Sequence, residues 1–541
     1  WRSVKQITGL QAKLTQPLGG LANQVHEGDM EALASSVKTF FQQVAADLRP
    51  LSDSAIPPPP NNFPSEFVID RARVEVKLSR INVRKAPGPD GLPNWVLRDF
   101  CAQLAGPVCA IFNASIREGF VHARWKKANI IPVPKAEQPR TIESDFRTIS
   151  LTSTLGKLLE SFVGRWILER IEDKLDDHQY GAMRGRSTTH ALVDMMHHWH
   201  SAVDKNQSVR TVFIDFVKAF DHVDHSILVG RLLAFGLHDV IIRWMYSFLM
   251  HRRQRVKIGD FLSDWLEVFA GMPQGSFLGP LTFIILIDSL RAACLTHKFV
   301  DDTTVTEILD KTAVSQMQQI VDELVQQSAN SRMNVNGTKT KEMLIGPISK
   351  HPPPQLSLDG ATVDRVTTFK LLGVHVANDL KWTQHVKVIS SKVPSRLYFL
   401  KQLKRSGAPL SDLLCFYTTV VRPVLEYACP VWHSSLTDAQ TETLESLQKR
   451  AMSIVYSSSN YIGNLTIAGI DTLQNRRESL SKKFFQHNVL DDKSLLHYLL
   501  PDPRDSNLIK KFRTAKPYEH LQTRTEKYRK SFIPYSIAYF Q

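Results

Sequence analysis

Several features common in secreted and membrane proteins are scarce or absent in this chain. Its 541 residues hold five cysteines. They stand at 101, 109, 294, 415 and 429, odd in number and without the paired spacing of a zinc module or a disulfide framework. That scarcity fits a reducing, intracellular setting. No apolar run reaches the roughly 18 residues of a membrane span, so no membrane partner is expected. No signal peptide opens the chain, and it begins at Trp1 rather than Met, as expected of a fragment or a processed reading frame. Internal repeats and coiled-coil periods are absent as well. Acidic residues are the minority, 53 against 67 Lys and Arg, leaving a net charge of +14. That imbalance points to a polyanionic partner, nucleic acid above all. A hydrophobic content of 43% excludes wholesale disorder.

The length suggests about three or four compact units. Residues 1 to about 70 carry helical patterning, as in Val37, Phe40, Phe41 and Val44, and close in the proline run Pro57 to Pro60. A mixed stretch follows to about 205, then alternating strands and helices from 206 to about 345. A second proline break at Pro352 to Pro354 leads to a short β-like segment around Phe369 to Val374, after which helical spacing takes over. Basic residues cluster at Arg252, Arg253, Arg255 and Lys257. They cluster again in the last 41 residues, where nine Lys and Arg stand against four Asp and Glu. Such blocks suit phosphates, with binding that weakens steeply in salt. No facing carboxylate or cysteine partner is expected for the histidines of Met195 to His200, which read as ordinary helix residues.

The chemistry is carried by three blocks in order. Thr211-Val212-Phe213-Ile214-Asp215 reads as a strand ending on a carboxylate, followed by a helix that should stop at Gly236. Gly271-Met272-Pro273-Gln274-Gly275-Ser276 is a turn suited to close backbone approach. Lys298-Phe299-Val300-Asp301-Asp302-Thr303 reads as a hairpin with acid at its tip. Strand pleating turns neighbouring side chains to opposite faces. Asp301 is therefore expected to face Asp215, with Asp302 further out in support. Carboxylates so placed can hold two magnesium ions, the chemistry of nucleotide polymerisation.

These blocks, together with Ile130 to Lys135, Phe146 to Leu151, Gln179-Tyr180-Gly181 with Arg186-Ser187-Thr188, Asn336 with Lys339-Thr340, and Phe369 to Val374, resemble the reverse transcriptase of non-LTR retrotransposons. The likeness covers about residues 75 to 385 in the family's order. Residues 1 to 10 resemble the linker after the endonuclease of jockey-like elements, and Ser531 to Ile537 their C-terminal end; the endonuclease itself is missing.

The resemblance implies an α+β right-hand polymerase fold with a split βαβ palm and a helical C-terminal region. A helical N-terminal linker region would occupy 1–70, the reverse transcriptase domain 115–377, a helical thumb 378–455 and a basic C-terminal region 456–541. Within that plan the fingers take about 75–205 and the palm about 206–345. It implies Asp215, Asp301 and Asp302 as catalytic carboxylates, with Asp215 and Asp301 on two Mg2+ ions. Phe220 would be the aromatic gate against a ribose 2′-hydroxyl. Gln274 and Gly275 would lie against the nascent base pair. Arg147 and Lys135 would bind the triphosphate, and Lys339 would protonate pyrophosphate. The expected partners are an RNA template, a DNA primer and deoxynucleoside triphosphates, in the nucleus.

Departures from the family pattern fall at Phe299, Val300, Thr148, Ala182 and Gln327. Ala182 and Gln327 replace aromatics, and loss of a buried aromatic costs about 3–5 kcal/mol. A weakened frame, as in a decaying genomic copy, is the expectation. Two rivals follow: a catalytically silent relic or co-opted RNA-binding protein, which should have lost carboxylates, and a packaging protein, which should carry basic low-complexity tails or zinc knuckles.

Overall fold

The computed structural model describes residues 29–43, 47–52, 56–60, 62–135, 139, 141–142, 145–358, 360–505 and 516–541. The linker-like residues 1 to 10 lie outside them. The strands are β1 (Lys127–Pro134), β2 (Phe146–Thr152), β3 (Ser208–Ile214), β4 (Arg252–Ile258), β5 (Phe261–Leu262), β6 (Leu266–Val268) and β7 (Leu295–Phe299). They continue as β8 (Asp302–Leu309), β9 (Lys341–Ile345), β10 (Ser357–Leu358), β11 (Ala361–Thr362), β12 (Asp364–Arg365), β13 (Thr368–Leu371) and β14 (Val374–Ala377). Helices fill most of the remainder, giving an α+β chain.

Two five-stranded sheets organise the site. In the second, β12-β9-β3-β8-β7, the central strand β3 pairs antiparallel with β8 and β9. All seven residues of β3 are buried, as expected of a strand covered on both faces. Pleating divides them between two cores. Val212 and Ile214 join the largely apolar helix Leu278–Ile287. Val209 and Phe213 join the helix Thr188–Asp204, and the Phe213 ring stacks on Phe369 at 4.0 Å.

The first sheet runs β2-β1-β4-β5 with β6 on β4. Its parallel pair, Lys127 with Arg253 to Ile130 with Val256, joins segments more than 120 residues apart. The division at about residue 205 therefore needs correction. β4 to β6, expected within a palm of 206–345, belong to the sheet of β1 and β2, and the helix Thr188–Asp204 packs under the other sheet. Local patterning reveals strands but not which distant strand they join. The helix Met30–Gln43 covers one face of the first sheet, where Leu33, Ala34 and Val37 meet Ala128, Ile130, Val256 and Ile258.

Beyond Ala377 the chain is helical, and the helices of 383–456 share a core with Leu473–Asn488 and Phe532–Tyr539. That core also takes in Leu192 and Trp199, so the helices Leu473–Asn488 and Phe532–Tyr539 pack on the body that holds the second sheet. Ala182, where an aromatic was expected, is exposed with φ of +57°, so no buried cavity follows from its small size. Gln327 clasps the Arg291 backbone, accepting from its N–H at 2.8 Å and donating to its carbonyl at 3.0 Å. Neither departure leaves the weakened frame expected of it.

Candidate active site

Three carboxylates meet at one end of the second sheet. β3 stops at Ile214, so Asp215 is the first residue past its carboxyl end. β7 and β8 are joined by the two-residue tip Val300-Asp301, across which Phe299 pairs with Asp302. Because Ile214 pairs with Thr303, the tip stands beside the end of β3. Val300 has φ of +60°, a region where a β-branched residue is strained and which two-residue loops usually give to glycine.

The crowding shows in the acidities. Burial raises the pKa of Asp215, opposed by Lys339 and Lys135. Burial raises Asp301 too; its own backbone N–H and Arg147 pull the other way, while the negative charge of Asp215 adds to the rise. Asp302 is exposed as a residue. Crowding at its carboxyl, with the charges of Asp301 and Asp215, nevertheless pushes it up to about 6. The Oδ2 atom of Asp215 is shielded from water and accepts no hydrogen bond; Lys339 Nζ stands 3.8 Å away.

Like charges around an unsatisfied buried oxygen are what a divalent cation neutralises. Among the described residues no three His, Cys, Asp or Glu side chains close into a metal cage. Magnesium is commonly held by one or two carboxylates, the rest coming from water and substrate phosphates. The open pair fits that habit.

The expected cations gather here. Lys135 has its pKa lowered by burial first and then by the positive charges of Lys339 and Arg147, with Asp145 and Asp215 opposing. Lys339 is placed by backbone docking: Asn336 N–H donates to the Asp215 carbonyl at 2.7 Å, and Val217 N–H to Asn334 at 2.8 Å. The Asn336 side chain then accepts from Lys339 N–H at 3.2 Å.

The loop Gly271 to Ser276 is stitched to β2 and to the segment that follows β3. Gly271 N–H donates to Val223 and Met272 N–H to Phe220, each at 2.8 Å, while Ser150 N–H of β2 donates to the Gln274 carbonyl at 2.8 Å. Gly271 has φ of +75°, and a Cβ there would meet the Asp221 carbonyl at 2.6 Å, so glycine is required twice over. The Gln274 amide donates to both carboxyl oxygens of Asp221, at 3.3 and 3.4 Å, and the Thr148 hydroxyl to one of them at 3.5 Å. Burial pushes Asp221 up to about 6. Gly275 lies against the Ser150 carbonyl. Phe220 is half-buried with its ring 5.2 Å from Phe283. A solvent-open cleft runs beside the loop, lined by Thr148, Ser150, Asp221 and Met272.

Some supports had no role assigned from sequence. Gln179, 2% exposed, accepts the N–H groups of Val300 at 3.1 Å and Gly181 at 2.9 Å through one oxygen. Lys298 is fully buried and bonded to Asp176 at 2.9 Å and the Leu290 carbonyl at 2.6 Å. Asp194, buried, accepts from Tyr180, Tyr498 and His297. One signal was available: Thr296, His297 and Lys298 are consecutive polar residues in a strand, and all three are buried.

A mixed α+β sheet with carboxylates at a strand end and a hairpin tip, faced by cations, has the arrangement of a polymerase palm. Residues 133–376 match the family described as "Reverse transcriptase (RNA-dependent DNA polymerase)". The chain is 25% identical over 410 residues to the "Probable RNA-directed DNA polymerase from transposon X-element" of Drosophila melanogaster, covering 72% of this chain and 44% of that protein. It is 24% identical over 506 residues to the corresponding protein of transposon BS from the same fly, covering 89% and 55%. With the "RNA-directed DNA polymerase from mobile element jockey" it shares 25% over 379 residues, covering 66% and 41%. The chain thus spans about half the length of the curated relatives it matches. Residues 133–376 resemble a reverse transcriptase domain, and the chain is similar over much of its length to polymerases of these mobile elements.

Proposed function

We propose that this chain is an RNA-directed DNA polymerase that extends a DNA primer 3′-end along an RNA template with deoxynucleoside triphosphates. The gathering of Asp215, Asp301 and Asp302 with Lys135, Arg147 and Lys339 at one sheet end carries this reading. The first sheet serves as fingers, the second as palm and the helices of 383–456 as thumb.

Asp215 and Asp301 would hold the magnesium pair, and Asp302 would support them from its more exposed position. When bound, those ions lower the pKa of the primer 3′-hydroxyl and offset charge on pyrophosphate. Arg147 and Lys135 clamp the triphosphate by charge-assisted hydrogen bonds. Lys339 stands ready to give its proton to the leaving group. Gln274, its amide turned to Asp221, and Gly275, pressed to β2, present a bare backbone edge to the nascent base pair. Phe220, backed by Phe283, fills the space a 2′-hydroxyl would need. Work on element RNA at a nicked chromosomal end would place the chain in the nucleus.

Primer extension on an RNA template with magnesium tests this. Wild type should extend and Asp301→Ala should not. Equal extension by both, or none by well-folded wild type, refutes it.

A further inference from the structure

One face of β2 is polar and yet buried. Thr148, Ser150 and Thr152 alternate along it, while Arg147 and Ile149 on the other face are exposed. Buried hydroxyls are costly unless they find partners. Ser150 meets the loop Gly271 to Ser276 through its backbone: its N–H donates to the Gln274 carbonyl at 2.8 Å, and its own carbonyl lies against Gly275. Thr148, a departure from the family pattern, uses its side chain instead. Its partner is Asp221, the carboxylate that follows Phe220.

Asp221 joins three segments. The Thr148 hydroxyl donates to it from β2 at 3.5 Å, and the Gln274 amide from the loop at 3.3 and 3.4 Å. Its own main chain belongs to the turn after β3, where its N–H donates to the Lys218 carbonyl at 2.8 Å. The Phe220 carbonyl in that turn accepts from Met272 N–H, also at 2.8 Å. Lys218 has φ of +47°, so the turn that carries Phe220 is strained and depends on contacts that hold it. An ionised carboxylate only accepts hydrogen bonds, and Lys218 and Lys135 favour that form of Asp221. Asp221 therefore fixes which way round the Gln274 amide lies, nitrogen towards the carboxylate and carbonyl oxygen away from it.

We propose that Asp221 is a positioning residue for nucleotide selection: it holds the Gln274 amide and the Phe220 wall in register, and the Thr148 hydroxyl secures it from β2. The proposal deepens the polymerase reading and rests on it. Without the acceptor, Gln274 turns away and the strained turn loses its tie to both the loop and β2. The wall of Phe220 then retreats, and the space beside the sugar opens. Selection against a ribose 2′-hydroxyl suffers before bond formation does.

The test is single-nucleotide incorporation at a primer end on an RNA template with magnesium, with kcat and KM measured for a deoxynucleotide and for the matching ribonucleotide. Asp221→Leu should narrow the deoxy-to-ribo ratio of kcat/KM by about tenfold, the scale of one lost hydrogen bond to a charged group. Its loss with the deoxynucleotide should fall mainly on KM. Asp221→Asn keeps one carbonyl oxygen for the Gln274 amide and should retain most of the selection. Thr148→Val, of the same shape without the hydroxyl, should narrow the ratio about threefold, and it carries the test if Asp221→Leu does not fold. Equal proportional losses for both nucleotides, losses confined to kcat, or an Asn variant as impaired as the Leu variant would overturn the proposal. No incorporation by well-folded wild type would refute the polymerase reading and this proposal with it. Incorporation by wild type with its ratio unchanged in Asp221→Leu and Thr148→Val would refute the proposal alone.

Discussion

Gly181→Ala isolates the role of the hairpin tip. Gly181 does not occupy left-handed backbone space, so alanine meets no conformational penalty there; the cost is steric alone. An added Cβ would lie 2.5 Å from the Val300 nitrogen and 2.6 Å from its Cγ2. Ordinary contact begins near 3.4 Å, so the tip must retreat by about 0.9 Å. Asp301 follows Val300 directly and would move with it. A misplacement of about 1 Å in a reacting group can cost on the order of 10²-fold in rate. The same shift stretches the Gln179 contact to Val300 N–H, now 3.1 Å, at roughly 1–2 kcal/mol of stability. Primer extension at saturating nucleotide should fall about a hundredfold, while the melting temperature drops by only a few degrees. A variant with wild-type turnover and the same fold would show that the contact does not set the position of Asp301.

Three further outcomes follow from the same geometry. Lys298→Met should destabilise the chain by about 3 kcal/mol in denaturant titrations, the low end for a broken buried pair because Arg291 remains 3.0 Å from Asp176; pairing it with Asp176→Asn should restore much of the loss. Magnesium should raise the melting temperature of wild type by relieving repulsion among Asp215, Asp301 and Asp302, and Asp215→Asn should abolish the magnesium increment; an unchanged increment would place the ion elsewhere. Asp194 lies well below the usual carboxylate range, hydrogen bonds from His198 and His297 outweighing its burial, and Asp176 lies below it through His178 and Lys298 against the same burial. Their contribution is full above the unfolded carboxylate range and is lost as pH falls through the lower folded values, so acid unfolding of Asp194→Asn should be less steep than that of wild type.

The functional blocks were legible because they are local. A strand ending on Asp215, a helix closing before Gly236 and a two-residue acidic tip depend on neighbours within a few residues, and the structure has all three. Which strand lies beside which was not legible. β4 joins β1 across a gap longer than many domains, and nothing in the alternation of Arg253, Arg255 and Lys257 says which sheet they will edge. The supports under the hairpin were hidden for another reason. Gln179, Asp176 and Asp194 look like surface residues by type, and only their burial beside Val300, Lys298 and His297 gives them work. Ala182 misled in the opposite sense: a family aromatic suggested a core position, and the backbone places it in solvent.

The strain at the tip and the burial beneath it are parts of one arrangement. Three carboxylates at a sheet end repel one another, and a Val in left-handed space resists the turn that presents them. Either cost alone would favour a tip that opens and swings the acids apart. Against that stand the Gln179 oxygen on Val300 N–H, the steric wall of Gly181, and Lys298 bonded to Asp176 and Leu290 one strand position below Phe299. Those contacts bind the tip to residues 176–181, and within that segment Tyr180 donates to the buried Asp194. Since Asp194 also accepts from Tyr498, the C-terminal region is tied through a single buried carboxylate to the strand that carries the acids. The tip stays bent, with its acids held together, because the layers beneath it are buried and bonded, so substitutions at Asp194 should weaken primer extension more than their distance from Asp301 alone would suggest.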